Sequence, residues 1–157
     1  MAHPLRLVES EHDGLLTGTD WPLIPDGEYL AICTGWQTAH IFRSAKLYLH
    51  FRIVEEQHQG AKLFAPFRVY ALVGKPGVNG RFKASRRSRL VFMLATLTGQ
   101  RLRGDRLSVR WLTNCMLRVK TRTVLRNYEQ CDLPQFLRYS IVHDIVAVEA
   151  GAANVSA

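Results

Sequence analysis

The strictest pattern in this chain of 157 residues is an alternation of apolar and polar side chains from residue 46 to residue 54. Apolar side chains fill every second position from Leu47 to Ile53. A period of two residues is that of a half-buried β-strand. The other face carries an aromatic ring, an imidazole and two cations, which are the side chains that stack on bases and hold phosphates. These are Lys46, Tyr48, His50 and Arg52. The stretch predicts a strand whose outer face either binds a ligand or is an ordinary solvent face.

Strands are also predicted on both sides of this segment. Residues 28–36 suit a first strand and residues 61–73 a third, bounded by glycine-containing turns. On the third strand, one face is apolar and the other offers Phe64, Arg68 and Tyr70. Pro66 lacks the amide hydrogen of a central ladder, so it predicts a bulge or an edge position, and an edge would be open to a homodimer.

A single helix is predicted in the middle of the chain. Residues 74–83 hold three glycines and a proline and therefore predict a loop. Ser85 is the expected N-cap of a helix over residues 86–97, and Gly99 is its expected stop. Arginines in the first turn oppose the helix dipole, so their placement there favours a ligand role.

Two more strands are expected after the helix, over residues 115–125 and 139–149, with residues 107–112 as a short strand or extended segment. In the first of the two, Leu117, Val119 and Thr121 are predicted to point inward and Arg118, Lys120 and Arg122 outward. Like charges on one face of a sheet cost stability, and a phosphate backbone lying across them would remove that cost.

Positive charge is concentrated in one region. The chain has a formal net charge of +8, but residues 75–126 hold fourteen of its twenty-one lysines and arginines and only one acid, Asp105. A regional basic field attracts polyanions better than a diffuse one. The alternative is a solvated basic face that serves solubility.

The order of three strands, one helix and two strands predicts a mainly β domain of the oligonucleotide-binding type, or OB-fold. This is a five-stranded, partly open barrel that binds its ligand across strands two and three. We expect that domain to span residues 27–149. An acidic arm (residues 1–26) precedes it, either inert or folding back to compete with nucleic acid, and a disordered tail (residues 150–157) follows.

A family resemblance runs over residues 26–149. Its motifs are Asp26-Gly-Glu-Tyr-Leu, the strand from Lys46 to Glu55, and Gly60-Ala-Lys-Leu-Phe followed by a helix that a glycine ends. In these motifs the chain resembles the small single-stranded-DNA-binding proteins of phages and mobile elements. The resemblance implies an OB-fold and single-strand binding in replication, recombination or transfer, and it does not fix the binding residues. The acidic C-terminal tail of many such proteins has no counterpart after Gly151.

The predicted function is therefore sequence-tolerant binding of single-stranded DNA. The predicted binding residues are Lys46, Tyr48, His50, Arg52, Phe64, Arg68, Tyr70, Lys75, Arg81, Lys83, Arg86, Arg87, Trp111, Arg118, Lys120 and Arg122. Two alternatives fit the same charge: an RNA binder, because both nucleic acids present stacking bases, or a basic module that binds an acidic protein.

Catalysis, metals and cofactors are not expected. The six histidines are scattered, paired cysteines are absent, and carboxylates are too few in the basic region for a two-metal nuclease. Three widely spaced cysteines predict no disulfide framework. No apolar run predicts a membrane span, and no secretory signal is recognisable, so we expect a cytoplasmic protein.

Overall fold

The computed structural model describes residues 21–127 and 129–150 and is mainly β. Its strands are β1 (Glu28–Ile41), β2 (Ser44–Ile53), β3 (Lys62–Arg68), β4 (Ala71–Val73), β5 (Gly77–Val78), β6 (Arg81–Lys83), β7 (Met116–Val124) and β8 (Tyr139–Ala150). One α-helix, α1 (Arg89–Thr98), lies between β6 and β7. Short 3-10 helices cover Gly104–Arg106, Arg110–Leu112 and Gln135–Leu137.

The main sheet is antiparallel, with the strand order β3-β2-β1-β7-β8 and with β5 paired to β1. Its edge strands β3 and β8 lie near each other, but no ladder joins them among the described residues, so the sheet is not closed. The long β1 pairs with β7 through residues 28–32 and with β5 through Gln37 and Thr38, and its ladder with β2 changes register between Cys33 and Gly35. Pro66 lies on an edge strand, as predicted, and its ladder with β2 continues without a bulge.

The alternation of β2 divides the apolar side chains into two clusters. Leu47, Leu49, Phe51 and Ile53 are buried in the main core with Leu90 and Leu94 of α1. The opposite face of the sheet carries a smaller cluster of Ala39, Ile41, Tyr48, Phe64 and Ile141, against which Trp21, Val124 and Tyr139 pack. The inward set of β7 is confirmed, since Leu117 and Val119 are buried completely and Thr121 nearly so.

The helix begins one turn later than the sequence predicts. Its N-cap is Ser88, whose Oγ accepts a hydrogen bond from the backbone N–H of Val91 at 3.2 Å. The predicted cap, Ser85, instead closes the preceding turn, because its carbonyl accepts from the N–H of Ser88. The predicted stop is confirmed: Gly99 adopts φ 68° and its N–H donates to the carbonyl of Ala95.

Three other expectations about local structure were wrong. The predicted loop over residues 74–83 contains β5 and β6, because they find ladder partners in β1 and β4. The third strand divides into β3 and β4 at a bend before Ala71. Residues 110–112 form a 3-10 helix where a short strand or an extended segment was expected. Within the described ranges, no helix has the length and apolar character needed to cross a membrane.

Candidate nucleic-acid interface

Five of the predicted binding residues converge on one pocket of about 390 Å³ on the outer face of the sheet, which we call the sheet pocket. They are Lys46, Tyr48, Phe64, Arg68 and Arg122. Strand pairing explains most of this convergence. Lys46 is directly opposite Arg68 in the β2–β3 ladder, and Tyr48 and Phe64 follow on the same face. Arg122 reaches the pocket from β7, near Tyr139 at the start of β8.

The electrostatics of the sheet pocket are those of an anion site. Its three cations share a lining in which no carboxylate appears among the described residues. Burial, and then the charge of Arg68, lower the pKa of Lys46. Desolvation and like-charge repulsion thus both oppose the charged lysine, and a bound phosphate would relieve both effects.

The aromatic residues at the floor of the pocket are buried, which contradicts the expectation that they present faces to bases. Tyr48 is 2% exposed and Phe64 is 4% exposed. Their rings meet edge to face at 5.7 Å, and Trp21 packs against Phe64 at 4.9 Å. Tyr139 stacks on Phe64 at 6.1 Å. Burial raises the pKa values of both Tyr48 and Tyr139. The floor is therefore a packed apolar surface.

The segment that brings Trp21 to this floor is held by β8. Ser140 Oγ accepts from the N–H of Ile24 at 2.9 Å and donates to the carbonyl of Ile24 at 3.0 Å. The N–H of Ser140 donates to the carbonyl of Pro22. Residues 21–26, which the sequence assigns to the acidic arm, thus pack on the domain. The rest of the arm and the predicted tail after Ala150 lie outside the described residues.

Among the described residues, four aromatic side chains are largely exposed to solvent: Phe42 is 63% exposed, Tyr70 77%, Phe92 74% and Phe136 78%. Only Tyr70 was predicted as a binding residue. Phe42 was missed because the sequence did not reveal the tight β1–β2 turn, where Phe42 and Arg43 adopt φ values of 49° and 63°. Phe92 was not among the predicted binding residues; it follows the buried Val91 and lies off the apolar stripe of α1.

Several predicted residues do not reach the sheet pocket. His50 is half-buried, its Nε2 lies 2.8 Å from Oε1 of Gln37, and burial lowers its pKa. Arg52 is exposed at the far end of the β2–β3 ladder, opposite Lys62. Trp111 packs on the edge of the main core.

The outward cations of β7 separate in space. Arg118 donates to Glu149 at 2.8 Å, and this hydrogen bond is the main cause of its raised pKa, with Glu28 and Glu55 adding smaller effects. Arg118 therefore lies in an acidic environment. Lys120 is exposed and pairs in register with Asp144 of β8. The expected run of three cations on one binding face is thus reduced to Arg122.

The remaining predicted cations lie on the helix side of the domain. Lys75, Arg81 and Lys83 are exposed on the strands and turns from β4 to β6, where Arg81 and Lys83 flank the buried Phe82. Arg86 and Arg87 lie in the turn before α1 and border a cleft of about 1100 Å³ between α1 and residues 101–105.

The side chains that could bind a metal or act as a nucleophile are dispersed among the described residues. No three side chains among His, Cys, Asp and Glu come together as metal ligands within residues 21–127 and 129–150. Burial raises the pKa of Cys33 to about 11, so that thiol is almost entirely protonated at neutral pH.

Comparison with protein-family models, curated proteins and solved structures finds no match. An assignment of function therefore depends on the geometry of the chain itself.

Proposed function

We propose that this protein binds single-stranded DNA without strong sequence preference, through the sheet pocket. The observation that carries the proposal is the convergence of Lys46, Arg68 and Arg122 on one concavity with an apolar floor and no acidic neighbour in its lining. A single strand is held by cations that contact its phosphates and by an adjacent apolar surface that contacts its bases. The exposed ring of Phe42 at the rim of the pocket supplies a platform for an unpaired base.

The domain acts in this proposal as a partly open OB-fold barrel. The strand order supports that interpretation, because β1 pairs with both β2 and β7 and the edges β3 and β8 approach each other. The helix lies between the third and fourth long strands, as in that fold. The sheet pocket spans β2 and β3, where an OB-fold binds its ligand. A role in replication, recombination or transfer of a mobile element, in the cytoplasm, would follow.

Single strands are favoured over duplexes for a geometric reason. A recessed pocket with an exposed aromatic ring is useful only for bases whose faces are free, and in a duplex those faces are stacked. Sequence tolerance follows from the same contacts, since every base has a face and every nucleotide has a phosphate. RNA shares both features, so the proposal commits to DNA and leaves RNA as a result to be measured.

The test is a titration of a fluorescent thirty-nucleotide strand of DNA, its RNA equivalent and the matching DNA duplex over a series of salt concentrations. We expect the single strand of DNA to bind at least about tenfold more tightly than the duplex, with log K falling linearly as log salt rises. Equal binding to duplex and single strand would contradict the proposal, as would tighter binding to RNA. Negligible binding to all three would favour an acidic protein as the partner.

A further inference from the structure

We infer that the bound strand does not end at the sheet pocket. It continues around the edge of β3, past the start of α1, and into the cleft between α1 and residues 101–105. This inference rests on the proposed function and extends it by a second stretch of binding surface. It also assigns a ligand role to Arg101 and Phe92, neither of which the sequence had indicated.

The first argument is continuity. A hollow of about 550 Å³ between β3 and the start of α1, which we call the edge hollow, shares Pro66 and Arg68 with the sheet pocket. The edge hollow in turn shares Arg87 with the cleft beside α1. Neighbouring concavities therefore adjoin through shared lining residues, and a positively charged side chain, Arg68 or Arg87, lies at each junction. A flexible polyanion can follow such a path, along which Asp105 is the one carboxylate that the described residues bring to the three linings.

The second argument is charge. Arg86, Arg87, Arg101 and Arg103 all line the cleft, and its one acidic neighbour is Asp105. That carboxylate is already engaged, because Nε and Nη2 of Arg103 donate to it at 3.1 and 2.8 Å. The remaining arginines leave a net positive lining around a floor that includes Val91, Ala95 and Leu102. An apolar floor with a basic rim repeats the chemistry of the sheet pocket.

The third argument is the placement of the exposed aromatic rings. The sheet pocket includes Phe42, the edge hollow includes Tyr70, and the cleft includes Phe92. Each concavity thus has one ring that is more than half exposed and at least two basic side chains. Proteins that bind single strands combine stacking platforms and cations in this way along a groove.

The far wall of the cleft is fixed by the backbone. Gly104 is buried, and its carbonyl accepts a hydrogen bond from the N–H of Ala84 at 2.8 Å. A Cβ at this position would collide with the carbonyl of Ala84, so only glycine allows the close approach. Residues 101–105 are therefore held against the segment that leads into α1, and the arginines of this wall face a surface of fixed shape.

The experiment compares oligonucleotides of two lengths. A five-nucleotide strand can fill the sheet pocket alone, whereas a fifteen-nucleotide strand can also reach the cleft, within the range of roughly 4 to 16 nucleotides that one OB-fold covers. The test variant is Arg86→Gln/Arg87→Gln/Arg101→Gln. The control is Arg52→Gln/Lys62→Gln/Lys75→Gln, which removes three exposed cations that line none of the three concavities. Circular dichroism and urea unfolding confirm that both variants fold.

We expect the test variant to bind the fifteen-mer about 100-fold more weakly at 0.1 M salt, since three lost phosphate contacts reduce the salt slope by about 2. Its affinity for the five-mer should stay within about twofold of the wild type, and the control should retain both affinities within about threefold. An unchanged fifteen-mer affinity in the test variant would overturn the inference and leave the proposed function intact. Equal losses for both lengths would also overturn it, because the cleft would then be the primary site. A wild-type protein that binds neither strand would remove the proposed function itself.

Discussion

Replacing Lys46 and Arg68 together by glutamine is expected to weaken binding of single-stranded DNA about 25-fold at 0.1 M salt. The two side chains lie directly opposite each other at one end of the β2–β3 ladder and both line the sheet pocket. Each phosphate contact on a single strand contributes about 0.7 to the salt slope. The loss of two contacts should therefore reduce that slope by about 1.4. Over the one decade of salt concentration between 1 M and 0.1 M, a slope change of about 1.4 corresponds to the expected loss of about 25-fold in affinity. Fluorescence anisotropy over a salt series measures both quantities.

The same ladder provides a matched control. Arg52 and Lys62 are paired opposite each other at its other end, and both are exposed. The variant Arg52→Gln/Lys62→Gln therefore removes one lysine and one arginine from the same two strands, with the same change in net charge. The two pairs are six residues apart along β2, or about 20 Å at the rise of an extended strand. We expect the control to bind within about threefold of the wild type. Similar losses in both variants would mean that general charge, and not the pocket, holds the DNA.

Replacing Arg89 by methionine is expected to lower the free energy of unfolding by about 2 kcal/mol. The guanidinium donates from Nη1 to the carbonyl of His143 at 2.6 Å and from Nη2 to the carbonyl of Pro66 at 2.9 Å. It therefore joins β8 to β3 across the gap that no ladder closes. It also lies over the ring of Phe67, 4.4 Å from the centroid. Methionine keeps most of the apolar contact and loses both hydrogen bonds.

Two further variants separate this role from a simple loss of charge. Arg89→Lys should recover roughly half of the lost stability, since an ammonium can reach one carbonyl but does not span two as a planar guanidinium does. Arg87→Met removes a neighbouring cation whose guanidinium makes no hydrogen bond within the described residues, and it should change stability by less than about 0.5 kcal/mol. Urea unfolding measures all three variants. Equal stabilities for Arg89→Met and Arg87→Met would show that the two strand edges do not need this bridge.

The sequence predicted the parts of the fold that depend on local periodicity. The inward side chains of β2 and β7 follow from a period of two residues, and the end of α1 follows from Gly99, which adopts the left-handed conformation. The start of α1 was misplaced because Ser85 and Ser88 are both reasonable caps, and only the hydrogen bond to Val91 distinguishes them. The strand β5 was missed because its partner, β1, is distant in sequence. The strand β6 pairs with the nearby β4 and was missed because the glycines and the proline of this segment predict a loop.

The candidate site was predicted only in part, because some of its contacts depend on how elements distant in sequence are arranged in the sheet. Pairing of two predicted strands is enough to bring Lys46 and Arg68 together, but Arg122 arrives only through the position of β7 in the sheet. The expectation that Tyr48 and Phe64 are exposed was wrong because alternation describes one strand and cannot show what covers it. Here the cover is Trp21, held through the hydrogen bonds between Ser140 and Ile24. The exposed rings of Phe42 and Phe92 depend on a turn geometry and on a helix orientation that no local pattern specifies.

The most direct test of the account is photochemical cross-linking of a single strand of DNA that carries 5-iododeoxyuridine, followed by peptide mapping with mass spectrometry. This nucleobase forms bonds chiefly with aromatic side chains that stack on it. The account predicts cross-links at Phe42 and Tyr70, with Phe92 added for strands long enough to reach the cleft, and their loss in high salt. Cross-links confined to Trp111, which packs on the edge of the main core, would contradict a binding surface across β2 and β3.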